Sequence, residues 1–315
     1  NPHDRFFKET LGKVEVAKDF LNNYLPGNII KVIDVDTLEP QKDSFINKEL
    51  QEGFSDLLFK ANINNREGYI YFLFEHKSYT RKDIAFQLLR YMMEIWETKS
   101  KKEKADELPV IIPLVVYHGK DRWKIGTTLG EMIVGYKDLP EDIKKFTPNY
   151  EYLLYDLSQF TDDEIKGEAQ LRILFTTLRD IFTKDSKSLQ DSVFRAVSYL
   201  RELDDKKTGI EYFETLMRYI FNARADLTRA DFNEVVKKIE TTYPEGSEVV
   251  MTLAEIFREE GKEEGILKGM EVGAKQGKIE VAKNAIREGM ELGLIEKLTG
   301  LPKKEIGKIA KEIEN

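Results

Sequence analysis

The sequence predicts a mixed α/β domain extended by helices. Three observations carry this. Two β-rich runs, 54–63 and 69–77, flank a short turn signal. An amphipathic stretch over 82–103 leads into a further apolar run at 110–117, and from about 161 onward the pattern is helical. The resulting order α-β-β-β-α-β, followed by helices, indicates a sheet-containing core with a helical extension.

Each element follows from its residues. Phe6, Phe7, Leu11, Val14, Val16, Ala17, Phe20, Leu21 and Tyr24 form one apolar stripe, which predicts a helix over 4–24 ended by Pro26-Gly27. Residues 29–38 (IIKVIDVDTL) are β-rich. Residues 54–63 (FSDLLFKANI) alternate loosely, Asn64-Asn65-Arg66-Glu67-Gly68 signals a turn, and 69–77 (YIYFLFEHK) is almost continuously apolar. That last pattern suits a central strand covered on both faces, paired with its neighbour as an antiparallel hairpin. Residues 110–117 (VIIPLVVY) read as a buried strand ended by His118-Gly119-Lys120, 128–135 as a short helix and 151–156 as a strand. Helices are expected at 168–182, 186–203, 208–223 and 229–241. Composition changes near 249, where the chain becomes charge-dense with glycine every fourth residue from Gly261 through Gly265, Gly269 and Gly273 to Gly277. Three parts are therefore expected: an α/β core at 1–160, a helical extension at 161–248 and an all-α C-terminal module at 249–315.

Composition narrows the chemistry. The chain has 315 residues, 41% hydrophobic and 34% charged, with net charge −8, which argues against a surface coated in positive charge but allows a local basic groove. There is no cysteine, so disulfides, thiolate metal sites and cysteine nucleophiles are excluded. With three histidines, a metal site would be built mostly from oxygen, which favours Mg²⁺ or Mn²⁺. No apolar run is long enough to span a membrane, and the N-terminus lacks an apolar signal core. A cytoplasmic protein is expected, trimmed or processed because it begins at Asn1 rather than Met.

The segment 54–91 carries the chemistry. Glu75 and Lys77 are two apart on a predicted strand and project from one face, and Asp56 lies on the neighbouring strand. Carboxylates from two paired strands can converge on one divalent cation, and a lysine beside them can orient water or neutralise phosphate charge. His76 points to the other face by alternation, so its backbone carbonyl rather than its ring is the candidate ligand. The following helix carries Gln87 and Tyr91, four apart and on one face. A surface ion pair between Glu75 and Lys77 is the bland alternative, but Glu75-His76-Lys77 ends the most apolar strand, where charge is costly unless used or paired.

Asp56, Glu75-x-Lys77 and Gln87-x-x-x-Tyr91 in an αβββαβ order resemble the PD-(D/E)XK nuclease superfamily. More narrowly, His3–Lys8 (HDRFFK), Phe54–Leu58 (FSDLL), Phe74–Ser78 (FEHKS), Gln87–Tyr91 (QLLRY) and Ile112–Gly119 (IPLVVYHG) resemble the Rpn family of recombination-promoting nucleases, also labelled transposases. The resemblance covers about 1–135 in ordered blocks and the rest by layout. It implies a Mg²⁺-dependent endodeoxyribonuclease with Asp56, Glu75 and Lys77 catalytic and Gln87 and Tyr91 supporting. DNA is the implied partner, in recombination, in defence against foreign DNA (phage included) or as a toxin. Two alternatives from other classes are a strand-transferring transposase and a non-catalytic DNA-binding or regulatory protein on a nuclease fold. The family pattern also implies an acidic metal neighbour from the first helix, here Asp4 or Glu9, with helix capping and a solvated face as their ordinary roles. Residue 55 is Ser where the superfamily name has Pro.

Other signals have two readings each. His118 suits a phosphate contact or, preferably, a turn with a hydrogen-bonded imidazole. Lys99, Lys101, Lys102 and Lys104 form a solvated helix end or a DNA-tracking cluster. The glycine series is a linker or a stripe joining protomers, which makes 249–315 the expected module of a homo-oligomer. The family resemblance adds that a short C-terminal product of the same gene can restrain the full chain. The last helices resemble a small helix-turn-helix in which Pro302 opens a helix bearing Lys303, Lys304, Lys308 and Lys311; a helical hairpin for protein contact is the alternative.

Overall fold

The computed structural model describes residues 1–41, 55–75, 82–104, 106–182, 186–203, 206–223, 234, 237, 241, 243–244 and 276–314. The chain divides into two compact units, Asn1–Val250 and Met251–Asn315.

The first unit is built on one five-stranded sheet in the order β1-β2-β3-β4-β5, comprising Ile33–Pro40, Ser55–Ile63, Arg66–Glu75, Val110–Tyr117 and Leu153–Asp156. The first three strands are antiparallel, and β3, β4 and β5 run parallel. A parallel neighbour requires a crossover, and α3 (Ile84–Glu103) supplies it between β3 and β4. The mixed α/β order read from the sequence is therefore the observed one.

β3 is the centre. Every residue from Gly68 to Glu75 is buried. Tyr69, Tyr71 and Leu73, with Leu58 of β2, pack on Ile84, Leu88, Tyr91, Met92 and Ile95 of α3. The alternate residues face the other layer, where Phe74 stacks on Phe7 at 4.2 Å and Phe72 meets Phe20 edge-on at 5.3 Å. A strand covered on both faces has no polar side, which is why its sequence lacks alternation.

Phe7 and Phe20 belong to two helices rather than one: α1 (Pro2–Leu11) and α2 (Val14–Tyr24). The single helix expected over 4–24 breaks at Gly12-Lys13, where the Gly12 N–H closes α1 on the Lys8 carbonyl at 3.0 Å and Lys13 turns extended. The apolar stripe continues across the break because both helices bury the same side, so periodicity alone did not reveal it. Among the described helices of the extension, α4 (Ala169–Asp180) and α6 (Lys206–Ala223) pack on this pair, and α5 (Ser186–Tyr199) packs on α4. Tyr219 of α6 stacks on Phe6 at 4.4 Å, and Phe175 of α4 meets Phe20 at 5.9 Å.

Several boundaries shift. Residues 27–30 form one helical turn, so β1 starts at Ile33, and the expected helix at 128–135 is a 3₁₀ turn at Leu129–Met132. Most of the expected helix 229–241 lies outside the described residues, as do all the periodic glycines except Gly277. In the second unit, a helix over 276–287 (α7), α8 (Leu292–Thr299) and α9 (Lys303–Glu314) enclose Ala282, Ala285, Ile295, Leu301, Ile306 and Ile309. Among the described residues no helix is long and apolar enough to cross a membrane.

The β2–β3 hairpin turns on two residues, Asn64 and Asn65, with φ of 50° and 60°. Two left-handed residues make the tight turn whose twist matches the strands, and Asn tolerates that conformation better than most side chains. The expected five-residue turn is thus shorter, and Arg66-Glu67-Gly68 joins the strand. Asn65→Gly should raise the urea midpoint, whereas Asn65→Val should lower stability by about 1–2 kcal/mol. Equal midpoints for the three proteins would contradict this turn.

Candidate active site

The hairpin register sets the geometry. Asp56 pairs with Leu73 and Leu58 with Tyr71. Directly opposed residues share a face, and Leu58, Tyr71 and Leu73 face α3, so Asp56 projects to the α3 side. Glu75, two residues beyond Leu73, projects to the same side. The two acids are diagonal neighbours, about 7–8 Å apart along the backbone.

Asp56 is held tightly. The Tyr71 hydroxyl donates to Asp56 Oδ2 at 2.5 Å, while Oδ1 is buried and has no hydrogen-bond partner among the described residues. Burial raises the Asp56 carboxyl to about 7; the Tyr71 hydrogen bond, the charge of Lys8 and the Tyr91 hydroxyl oppose the rise, and the charge of Asp4 adds to it. Burial first, then the Asp56 charge, keeps Tyr71 far above the usual phenol range, so it remains a neutral donor. On α3 the Gln87 amide donates to the Tyr91 hydroxyl at 3.4 Å, and Gln87 Oε1 is buried without a hydrogen-bond partner among the described residues. Tyr91 thus reaches Asp56 from α3, and Gln87 lies beside Tyr91 on the same helical face.

Glu75 is only 1% exposed, and β4 lies beside it. Tyr117 is its register partner, its hydroxyl pushed up to about 12 by burial and by the charges of Asp156, Asp121 and Glu75. The Tyr117 ring folds back over the chain, and a Cβ on Gly119 would lie 2.0 Å from its hydroxyl, so only glycine fits there. The intervening His118 donates its backbone N–H to the Glu75 carbonyl at 2.8 Å. Its ring lies between Phe74 and Phe182, with Nε2 3.2 Å from His3 Nδ1, which is itself 2.8 Å from the Tyr219 hydroxyl. His118 is therefore the hydrogen-bonded imidazole of the preferred reading, and the cluster ties α1, the end of β4 and α6 together.

The two first-helix acids have different surroundings. Asn1, not Asp4, caps α1, its side chain accepting the His3 N–H at 3.1 Å. Asp4 is close enough to repel charge on Asp56, whereas Glu9 pairs with Arg5 at 2.7 Å in a polar groove against α6. The basic cluster ending α3 is not one solvated face. Lys99 is buried and binds Glu67 at 2.7 Å, and although burial alone would raise Glu67, hydrogen bonds from Lys99, Lys60 and Tyr69 hold it at about 2. Lys101 pairs with Glu97 at 2.7 Å. His76 and Lys77 lie outside the described residues.

Sequence reasoning assigned no individual role to Tyr71, Lys8 or His3. Tyr71 is two positions before Leu73 on the face that carries Asp56, a signal visible only once the register is known.

Among the described residues no three carboxylates or imidazoles form a complete metal-binding group. Asp56 Oδ1 and Gln87 Oε1, each buried without a hydrogen-bond partner among the described residues, are oxygens of the kind a hard divalent cation takes. They fit part of such a coordination sphere.

Comparison with known proteins places the chain in a family. Residues 1–208 match the family described as "Putative transposase, YhgA-like". The chain belongs to this family. Among its relatives, the Recombination-promoting nuclease RpnA of Escherichia coli K12 is 29% identical over 307 residues, covering 97% of this chain and 96% of the relative. The Inactive recombination-promoting nuclease-like protein RpnE of the same strain is 29% identical over 308 residues, again 97% and 96%. RpnC, also of that strain and named a Recombination-promoting nuclease, is 27% identical over 265 residues, 83% of this chain and 82% of its own. No solved structure matches.

The raised Asp56 carboxyl has a stability consequence. Between its unfolded value near 4 and its folded value near 7, the native chain holds a proton that the unfolded chain has released, so this group's contribution falls as pH rises through that window and is flat above it. Asp56→Asn removes the buried charge while keeping an acceptor for Tyr71. It should raise Tm clearly at pH 8 and little at pH 5, by thermal melts of the metal-free chain. A Tm gain independent of pH would contradict the burial of this carboxyl.

Proposed function

We propose that this chain is a Mg²⁺-dependent endodeoxyribonuclease of PD-(D/E)XK type. The observation that carries the reading is the placement of Asp56 and Glu75 on one face of the central hairpin, both enclosed and both under the helix that bears Gln87 and Tyr91. Charge in so apolar a place is expensive, and a divalent cation is the partner that two carboxylates can share. The nuclease names of the relatives support the activity class. The presence of Asp56, Glu75 and Lys77 together in the sequence supports an active member.

In this reading Asp56 and Glu75 hold the ion, with the His76 carbonyl completing the protein's share. When bound, the cation supplies a water of lowered pKa and stabilises charge on a phosphate oxygen. Tyr71 occupies Asp56 Oδ2 and leaves Oδ1 for coordination, and Tyr91 braces the same carboxylate through its hydroxyl. Gln87 offers its buried amide oxygen to a water or its amide hydrogens to phosphate. Lys77 acts on the attacking water or on developing phosphate charge. Of the two first-helix acids, Asp4 is the one set beside Asp56. DNA is the substrate in this reading, and self-association is assigned to 249–315.

Asp56→Ala should abolish Mn²⁺ binding in calorimetry and plasmid cleavage together. Lys77→Met keeps the stem and deletes the charge, so it should keep metal affinity while cleavage falls on the order of 10²–10³. Wild-type cleavage by Lys77→Met, or cleavage that persists in EDTA, would overturn the mechanism.

A further inference from the structure

The last two helices of the second unit are set by a three-residue turn fixed at both ends. Gly300 closes α8 in the left-handed conformation, φ 68°, with its N–H on the Glu296 carbonyl at 2.8 Å. Thr299 Oγ1 donates to the Ile295 carbonyl at 2.7 Å and accepts the Leu301 N–H at 3.2 Å, and the Leu301 side chain is buried. The Pro302 carbonyl starts α9 by accepting from Glu305 and Ile306. Ile306 and Ile309 then face Ile295, Leu301 and the alanines of α7. Two helices joined by a short glycine-containing turn and packed on a third have the connectivity of a helix-turn-helix.

The outward face of α9 has the matching chemistry. At 100° per residue, Lys303, Gly307, Lys304 and Lys308 fall within an arc of about 140° that excludes the buried Ile306 and Ile309. Lys303, Lys304 and Lys308 are exposed; Lys303 leans on Glu296 at 3.9 Å. Gly307 sits within the unbroken helix, where a Cβ would meet nothing within 4 Å. Internal packing does not require a glycine there, and in mid-helix it costs about 1 kcal/mol relative to Ala. What it does is leave bare backbone between lysines, so that the helix can approach a surface closely. The chain carries −8 overall, and a polyanion needs such a local concentration of positive charge to dock.

We propose that α9 is a second DNA-binding element, separate from the cleavage site, whose Lys303, Lys304 and Lys308 face docks on duplex phosphates without reading sequence. Lysines set register and affinity as point charges and carry no base code of their own.

The test uses the full chain in EDTA, so that no cleavage occurs, with anisotropy of a labelled random-sequence duplex across a salt series. Losing two phosphate contacts in Lys304→Gln/Lys308→Gln should reduce the slope of log affinity against log salt by roughly 2 and weaken low-salt binding about tenfold. Gly307→Leu, with no neighbour to clash with, should keep helicity by circular dichroism and still weaken binding. Absence of duplex binding by the wild-type chain, or an unchanged slope in the double variant, would overturn the proposal. An unchanged slope with an altered oligomeric state by light scattering would also overturn it and assign the face to protein contact. The result is independent of whether the chain cuts DNA, which the cleavage assays above decide.

Discussion

The register of the β2–β3 hairpin is the constraint on which the rest depends. Pairing Asp56 with Leu73 fixes two acids on the α3 side, and a slip of one residue would send every side chain of β2 to the opposite layer. Both layers oppose such a slip. On one side Leu58 and Tyr71 are locked against α3, and on the other Phe72 and Phe74 are locked against Phe20 and Phe7. The two-residue turn at Asn64-Asn65 sets the same register from the far end.

Around that hairpin the structure concentrates unfavourable electrostatics that its aromatic hydroxyls only partly relieve. Tyr71 reaches Asp56 from the same sheet and Tyr91 from the helix above, yet the carboxyl still titrates near 7 because burial outweighs them. The histidine cluster performs a different task. Through His3, His118 and Tyr219, α6 holds the start of α1, and with it Asp4, beside the end of β3. The extension is therefore part of the scaffold that positions the acids.

Much of this was legible in the residues. The almost continuously apolar run at 69–77 announced a strand covered on both faces, and the period of four between Gln87 and Tyr91 announced a shared helical face. Other features depended on distant chain segments meeting. The break at Gly12 was hidden because α1 and α2 bury one continuous stripe. Asp4 and Glu9 differ only in that α1 presents one toward Asp56 and the other toward α6. Lys99 reads as the first residue of a solvated basic cluster, yet Glu67, thirty-two positions earlier, draws it inside. Tyr71 looked like one more aromatic residue until its hydroxyl met Asp56.

The central claim is that Asp56 and Glu75 form one cation site because the hairpin sets them on a common face. Mn²⁺ binding followed by electron paramagnetic resonance tests this most directly, comparing the wild-type chain with Asp56→Asn, Glu75→Gln and the double variant. The account predicts a bound ion in the wild type, severe loss in either single variant, and little further loss in the double, as expected of two ligands sharing one ion. Wild-type Mn²⁺ binding by the double variant would contradict it.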